Sequence, residues 1–310
     1  MPICERDPWR FQYFENVACP DDVFIPTDDI DAWPWYPEYR WVYDKLKIAA
    51  SQNLPCGPHG VEPRSYPVFS KPIINLKGMG LGSRIMNSSL EMQHHSAAGH
   101  FWMPLLQGEH ISTDVAVVQG EAKWLCHAAG QPWLEGMFKH WVIESGQRAG
   151  LAQYLTDWIA RLLPTYTGML NFESIGGSII EVHLRFADQW CDLYGRSWFD
   201  ALVGLYAKGQ WHLENTPQMP GYSVPLFARH GTVPKHPAPA LQSRIRALPH
   251  ISSLQITFHE NKSGKDHPMP PGGFRLGLIN CTNLEAGFAA RRLLATGFPG
   301  CEMMIPSKID

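Results

Sequence analysis

The sequence predicts an α+β protein in which antiparallel hairpins are interleaved with amphipathic helices. Two stretches have a hairpin pattern, "HISTDVAVVQGEAKWLCHAAG" at 110–130 and "NFESIGGSIIEVHLRF" at 171–186, because apolar-rich runs flank a Gln-Gly and a Gly-Gly turn signal. Between them, residues 146–164 predict a helix with an apolar stripe. The stripe consists of Leu151, Leu155, Trp158, Ile159 and Leu162. Helices placed between antiparallel strands are typical of an α+β fold.

Composition limits the classes of function. The 310 residues are 45% hydrophobic and 18% charged, which is enough to form a substantial core, and the net charge of −3 does not suggest a nucleic-acid or membrane surface. No run approaches the ~18 apolar residues of a membrane span. Seven single cysteines without a Cys-x-x-Cys pair, and a first segment without a signal-peptide pattern, favour a reducing compartment. We expect a cytoplasmic protein with no nucleic-acid or membrane partner, and a homo-oligomer stays open.

The remaining elements follow in chain order. Residues 1–38 are rich in Pro, Asp and aromatic residues and predict irregular structure, residues 38–53 have helical spacing, and residues 66–76 are β-branched and aromatic enough for a strand. A glycine-rich loop at 77–84 follows that strand. Residues 197–209 predict a helix that begins with a Ser-x-x-Asp capping pattern.

The last hundred residues form a third region of the chain. It ends in a strand-like run at 273–281 and a helix at 282–297, which opens with a Thr-x-x-Glu capping box. "HHSAAGH", which contains His94, His95 and His100, could hold a metal ion, but exposed loop histidines without clear ligand spacing are the ordinary case.

The second hairpin, residues 171–186, carries an unusual set of polar side chains. Alternation places Asn171 and Glu173 on one face of the first arm, and Glu181, His183 and Arg185 on one face of the second arm. A solvated sheet face is the ordinary explanation. A Glu-x-His-x-Arg line without lysine instead favours a metal and phosphate site.

The glycine-rich loop is the second clue to function. "GMGLGSR" is neither a dinucleotide fingerprint, because Ser83 stands where the third glycine belongs, nor a Walker loop. A mobile surface loop is the plain alternative. The setting favours phosphate binding, since Lys71 lies on the preceding strand and Lys77 opens the loop. Glycines let backbone N–H groups approach phosphate oxygens, and a lysine adds a point charge.

Four motifs in order resemble the ATP-grasp superfamily of carboxylate–amine ligases and biotin-dependent carboxylases. "YDKLKIAASQNLPCGP" is similar to the helix that opens the nucleotide lobe, and "YPVFSKPIINLKGMGLGS" to the strand with a second phosphate lysine and a lid loop. "FWMPLLQGEHISTDVAVVQGE" resembles the hinge that meets adenine, and "TGMLNFESIGGSIIEVHLRF" resembles the metal hairpin. The resemblance covers roughly residues 40–190.

The resemblance implies the cofactors ATP and Mg²⁺, or Mn²⁺, and a role for each matching residue. The implied nucleotide-binding residues are Lys45, Lys71, Lys77, Gly78, Gly80, Gly82, Ser83, Leu106, Glu109 and His110. The implied metal ligands are Glu181, Glu173, Asn171 and His183. Arg185 is the implied catalytic residue, facing the transferring phosphoryl group.

The same resemblance implies the domain organisation and the reaction. We expect an irregular region at 1–40, two α/β lobes at 41–105 and 106–210 that clasp the nucleotide, and a C-terminal α+β lobe at 211–310. The expected reaction is ATP-dependent ligation of a small carboxylate to a small amine through an acyl-phosphate.

Departures from the family pattern leave an alternative open. Asn171 stands where the first metal acid is usual, and His183 replaces the usual asparagine. Met103 or Pro104 occupies the place of the hinge acid, and Glu109 is offset by one residue. The alternative is a non-catalytic nucleotide-binding protein with a degraded metal site.

Overall fold

The computed structural model describes residues 3–5, 7–144, 148–213, 220–231 and 233–306. In these ranges the strands are β1 (Ile3–Cys4), β2 (Ile25–Pro26), β3 (Gly57–Pro58), β4 (Val68–Pro72), β5 (Arg84–Met86), β6 (His100–Pro104), β7 (His110–Val118), β8 (Glu121–Pro132), β9 (Phe138–Glu144), β10 (Gly168–Ile175), β11 (Ser178–His183), β12 (Gly221–Ala228), β13 (Ile251–Ile256), β14 (Phe274–Cys281) and β15 (Met303–Met304). The helices are α1 (Pro8–Phe11), α2 (Asp29–Trp35), α3 (Lys45–Ala50), α4 (Ser89–His94), α5 (Ala149–Leu162), α6 (Arg196–Lys208), α7 (Pro239–Arg246) and α8 (Leu284–Ala295).

Two antiparallel sheets organise the chain and confirm the predicted α+β class. The large sheet has the order β11-β10-β7-β8-β9-β12-β14-β13, with β15 beside β12. The small sheet has the order β3-β6-β4-β5. Both predicted hairpins are present, as β7–β8 and β10–β11. Because β12 pairs with β9, the C-terminal region at 211–310 continues the large sheet rather than forming a sheet of its own. The limits of the predicted domains stay a prediction.

Apolar clusters cover both faces of the large sheet. One face packs under α5, where Leu155, Trp158 and Ile159 are buried as the predicted stripe requires. The other face packs against α6 and the N-terminal segment around Trp198. A third cluster joins β12–β14 to α7 and α8. Among the described residues, no helix is long and apolar enough to cross a membrane.

The structure corrects several predicted element limits. The helix predicted at 38–53 is divided into a 3-10 turn and α3, because Asp44 adopts an extended conformation and its side chain accepts a hydrogen bond from the Lys47 backbone N–H, at 3.0 Å. The predicted irregular segment 1–38 contains α1 and α2. The helix predicted at 146–164 is present as α5, and residues 146 and 147 lie outside the described residues.

Both predicted capping patterns are wrong in detail. Helix α6 begins one residue earlier than predicted, with Gly195 rather than Ser197 at the N-cap. Helix α8 is capped by Asn283, which accepts from the Ala286 backbone N–H at 2.9 Å, and not by Thr282. Asparagine is as strong an N-cap residue as serine, so the neighbouring residue takes the position.

The turn of the second hairpin packs directly on the loop between β6 and β7. A Cβ on Gly176 would overlap the Gln107 carbonyl oxygen, and a Cβ on Gly108 would approach Gly176 Cα to 2.8 Å. The Gly176 N–H donates to the Glu109 carbonyl at 3.1 Å. This close backbone approach fixes the β6–β7 loop, which the sequence predicts to be the hinge, against the second hairpin.

The pair Gly176 and Gly177 allows a matched test of that contact. Both have positive φ, 57° and 86°, but a Cβ on Gly177 would meet nothing within 4 Å. We expect Gly176→Ala to lower the free energy of unfolding by about 1–3 kcal/mol more than Gly177→Ala, because only the first substitution overpacks the loop. Urea denaturation measures the difference, and equal losses in the two variants would contradict this account.

Candidate nucleotide site

Two lysines from different elements converge on one carboxylate. Lys45 opens α3, and its Nζ donates to Glu181 Oε1 at 2.7 Å. Lys71 lies in β4 of the small sheet, and its Nζ is 4.0 Å from the same oxygen. All three side chains are largely buried, with 7%, 3% and 18% exposed for Lys45, Lys71 and Glu181. The two predicted phosphate lysines and the predicted metal glutamate therefore share one site.

A β-bulge in the second hairpin shapes this site. Glu173 pairs with Glu181, but Ser174 pairs with Ile179, so Ile180 is an extra residue in β11. The sequence places Ile180 on the apolar face with Val182. In the structure Ile179 takes that core position, and Ile180 packs against the small sheet instead. A bulge shifts the alternation by one residue, and its position is not encoded in a hydrophobic pattern.

The bulge has a direct consequence for the lysines. It leaves the Ile180 carbonyl available to accept from Lys71 Nζ at 2.9 Å. The side-chain amide of Gln52, just after α3, then occupies the open edge of β11, bonding both the N–H and the C=O of Ile179 at 2.7 Å. These contacts join the small sheet and α3 to the edge of the large sheet.

The electrostatics of the site follow from burial and charge together. Burial opposes ionisation of Glu181, but Lys45, Lys71 and His183 outweigh it and lower the pKa of that carboxyl to about 2. Burial lowers the pKa of Lys71 to about 8, with Lys45 acting in the same direction and Glu181 opposing it. Glu181 is thus ionised at neutral pH, and Lys71 is held close to the point of losing its proton.

Asp29, at the start of α2, is a buried carboxylate that sequence reasoning missed. Its Oδ2 accepts from Arg185 Nη2 at 3.2 Å and lies 2.8 Å from His183 Nδ1, while its Oδ1 accepts from the Tyr43 hydroxyl at 3.2 Å. Burial opposes its ionisation, yet Arg185 and His183 hold the pKa of Asp29 well below the ordinary value. The only local signal was an acidic run before a short helix, which also describes a plain N-cap.

His183 links the two carboxylates. Its Nδ1 faces Asp29, and its Nε2 lies 3.7 Å from Glu181 Oε2. The predicted catalytic residue Arg185 also bonds the Phe186 carbonyl, at 3.1 Å. The site therefore contains a continuous line of charged and polar groups from Lys71 through Glu181, His183 and Asp29 to Arg185.

Asn171 belongs to a neighbouring buried network. Its Nδ2 donates to Ser112 Oγ and to Asp114 Oδ1, both at 2.8 Å. Asp114 also accepts from the Tyr194 hydroxyl at 2.7 Å and from the Ala187 backbone N–H. Burial nevertheless raises the pKa of Asp114 to about 6. The amide nitrogen of Asn171 thus helps to hold the Asp114 carboxylate in place, and its role as a metal ligand stays a prediction.

The predicted metal ligands share one face but do not fit a magnesium ion as they are arranged. The strand register pairs Asn171 with His183 and Glu173 with Glu181, so these four side chains lie on one face. However, Glu173 Oε2 is 2.6 Å from His110 Nε2, and Glu181 is paired with lysine. In the part of the chain that the structure describes, no group of three or more His, Cys, Asp or Glu side chains is placed to hold a metal. Magnesium prefers several free oxygen ligands, so the metal assignment stays a prediction.

The other predicted nucleotide residues are distributed around this centre. Leu106 packs in the apolar cluster of the small sheet together with Met103, whereas Glu109 is exposed and paired with Arg148 at 2.8 Å. The glycine loop lies between β4 and β5. Among the described residues, its members Lys77, Gly78, Gly80, Gly82 and Ser83 make no hydrogen bond or ion pair with Glu181.

Comparisons with known proteins place the fold. No family model matches the sequence, and no curated protein matches it. Among solved structures, the L-amino acid ligase from Bacillus licheniformis is similar at a TM-score of 0.63 and 12% identity, over 96% of this chain and 84% of that one. Phosphoribosylamine–glycine ligase from Thermotoga maritima is similar at a TM-score of 0.62 and 13% identity, over 92% of this chain and 86% of that one. N5-carboxyaminoimidazole synthetase from Staphylococcus aureus, complexed with ADP, is similar at a TM-score of 0.59 and 11% identity, over 88% of this chain and 80% of that one.

These neighbours are ATP-grasp ligases, and this chain has the ATP-grasp fold. The predicted resemblance is confirmed, and the match extends beyond residues 40–190 to nearly the whole chain. At 11–13% identity the likeness establishes the fold, and the roles of individual residues remain to be argued from the site.

Asp29 provides a test of the charged line at the site. Asp29→Asn removes the counter-charge of Arg185, and we expect it to lower the free energy of unfolding at pH 7 by about 3 kcal/mol. Because the pKa of Asp29 is depressed in the folded state, its contribution is present above the ordinary Asp pKa of about 4 and is lost as the pH falls below it. Urea denaturation at pH 7 and pH 3 measures the difference.

Asp22→Asn is the matched control, since Asp22 is an exposed carboxylate in the same N-terminal segment. Equal stability of the Asp29 and Asp22 variants at pH 7 would contradict a stabilising role for the buried carboxylate.

Proposed function

We propose that this chain binds ATP and uses it to join a small carboxylate to a small amine. The observation that carries the proposal is the convergence of Lys45 and Lys71 on a single carboxylate between the two sheets, at 2.7 and 4.0 Å. Two buried lysines from separate elements form a site for a multiply charged anion. The ATP-grasp fold supports a nucleotide as that anion.

In this proposal Glu181 is the internal counter-ion that nucleotide phosphates replace. A buried lysine needs a partner charge, and Glu181 supplies it to both lysines. A phosphate oxygen offers the same negative charge with more acceptor sites. The pKa of Lys71, lowered to about 8 by burial, fits a buried lysine whose charge a stronger anion would stabilise further.

Arg185 is the residue we propose to act on the reaction itself. A substrate carboxylate would attack the terminal phosphoryl group of ATP, releasing ADP and giving an acyl-phosphate. An amine would then attack the acyl carbon, forming the C–N bond and releasing phosphate. Such chemistry depends on positioning and on neutralising charge in the transition state. Asp29 holds the guanidinium at 3.2 Å and thereby fixes its orientation. The identity of the carboxylate and the amine, and a cytoplasmic location, stay predictions.

One observation favours a second candidate, a nucleotide-binding protein without catalysis. The Glu173 carboxylate lies against His110, the Glu181 carboxylate is paired with Lys45, and among the described residues no group of three or more His, Cys, Asp or Glu side chains is placed to hold a metal. The two candidates differ in ADP and phosphate release from ATP, with Mg²⁺ or Mn²⁺, when pooled carboxylates and amines are added. Only a ligase gives release that depends on both pools and that Arg185→Lys lowers while leaving ATP binding intact.

The lysine pair gives the first test of nucleotide binding. Lys71→Met should weaken ATP binding by about 1–3 kcal/mol, the scale of a lost charge-assisted contact, and Lys45→Met/Lys71→Met should weaken it further. Lys47→Met is the matched control, because Lys47 lies on the same helix and is exposed. Isothermal calorimetry measures the affinities. An unchanged affinity in the double variant would remove the nucleotide proposal.

Glu181 gives a test of the counter-ion role. In the presence of EDTA, we expect Glu181→Gln to tighten ADP binding about fivefold, because the phosphates no longer compete with a carboxylate for Lys45. Glu173→Gln is the control, since it removes a neighbouring charge that contacts His110 and no lysine. Weaker metal-free binding in Glu181→Gln alone would show that Glu181 does not compete with phosphate.

A further inference from the structure

A cavity of about 370 Å³ lies on the face of the small sheet that points away from the lysine site. Lys71 pairs with Phe101 across the β4–β6 ladder, and both side chains face α3 and β11. Ser70 pairs with Arg84 and with Trp102, so these three share the opposite face. The cavity opens on this opposite face and is separated from Lys71 by the thickness of the sheet.

The polar side chains that line the cavity are donors or bases, namely Ser70, Ser83, Arg84, His95 and His100. No acidic side chain is part of this lining. Arginine and hydroxyl groups together favour an oxyanion, and arginine in particular matches the paired oxygens of a phosphate.

Ser70 supplies a hydroxyl donor for which the described residues provide no acceptor. Its side chain is buried, 2% exposed, and its Oγ lies 2.9 Å from His59 Nε2. His59 Nδ1 accepts the Ala97 backbone N–H at 3.0 Å, so the proton of the neutral imidazole is on Nε2 and is donated to Ser70 Oγ. Burial, with His100 nearby, lowers the pKa of His59, which favours that neutral form. The Ser70 hydroxyl proton is therefore left for a ligand in the cavity.

This arrangement also excludes a nucleophilic serine. A histidine that activates a serine must accept its hydroxyl proton. His59 Nε2 donates to Ser70 instead, because its Nδ1 is already an acceptor. The pair is built to present a hydroxyl donor, which is what an oxyanion site needs.

The nearest carboxylate does not close the site. Glu91, on α4, is near enough to Arg84 and His95 for their charges to lower its pKa, after the larger effect of the Asn87 backbone N–H. Glu91 Oε2 is occupied by the backbone and side-chain N–H groups of Asn87, at 2.8 and 3.1 Å. No ion pair joins Glu91 to Arg84 among the described residues, so the guanidinium remains free for an anion.

We propose that this outer cavity binds a small phosphomonoester, with Arg84 and the Ser70 hydroxyl holding the phosphate. Its volume lies in the range of small-molecule pockets, about 300–1,000 Å³, which leaves room for an organic group beside the phosphate. The site lies beyond the proposed ATP cleft and does not depend on it. Gly82 and Ser83 line the cavity at the end of the glycine loop, so the ligand also contacts the segment that leads back to Lys71.

The test is calorimetric titration of the full chain with inorganic phosphate, glycerol 3-phosphate and glycerol. We expect glycerol 3-phosphate to bind more tightly than phosphate, and glycerol not to bind. Arg84→Gln should weaken glycerol 3-phosphate binding about tenfold and Ser70→Ala about fivefold, as expected for a charged and a neutral hydrogen bond. Lys45→Met/Lys71→Met should leave the affinity within about twofold.

Arg64→Gln is the control, because Arg64 is an exposed arginine of the same lobe that does not line the cavity. Thermal unfolding without ligand checks that each variant is folded. If Ser70→Ala does not fold, the surface variant Arg84→Gln still decides the test. The proposal is overturned if wild type fails to bind glycerol 3-phosphate at about 10 mM, or if Arg84→Gln matches Arg64→Gln. Loss of binding in the lysine double variant alone would place the anion in the nucleotide cleft and would also overturn it.

Discussion

The structure depends on one buried carboxylate held between two lysines. Glu181 lies at the edge of the large sheet, Lys45 begins the adjoining helix, and Lys71 belongs to the small sheet. Burying three charges is unfavourable unless each has a partner, so these groups hold their elements in one relative position. The bulge at Ile180 completes the arrangement, because the carbonyl that it releases accepts from Lys71. Charge pairing, and not apolar packing alone, therefore sets how the two sheets meet.

The same need for a partner charge explains why the N-terminal segment that carries Asp29 packs at this site. The charge of Arg185 would be uncompensated inside the protein, and Asp29, which also lies 2.8 Å from His183 Nδ1, supplies its counter-charge from a helix that begins more than 150 residues earlier. In this way both ends of the site carry an internal anion, Glu181 for the lysines and Asp29 for the arginine. Under the proposed function, an entering nucleotide would replace Glu181 as the partner of the lysines, while Asp29 would keep Arg185 oriented for the phosphoryl group.

Much of this site was predicted from patterns within single elements. The contacts between distant elements were not predicted. Alternation correctly placed Asn171, Glu173, Glu181 and His183 on one face, because a strand's period is fixed by backbone geometry. The bulge was missed because it changes the period at one residue without changing composition. Asp29 was missed because its role appears only when α2 packs near the end of β11, and the Asn171–Asp114 hydrogen bond was missed because its partners lie 57 residues apart.

A crystal structure with a non-hydrolysable ATP analogue and Mg²⁺ or Mn²⁺ tests the central claim most directly. The account predicts phosphate oxygens within hydrogen-bond distance of both Lys45 Nζ and Lys71 Nζ, with the Lys45–Glu181 contact of 2.7 Å broken. The same structure would show whether any metal contacts Glu181. An analogue bound elsewhere, with the Lys45–Glu181 pair intact, would contradict the account.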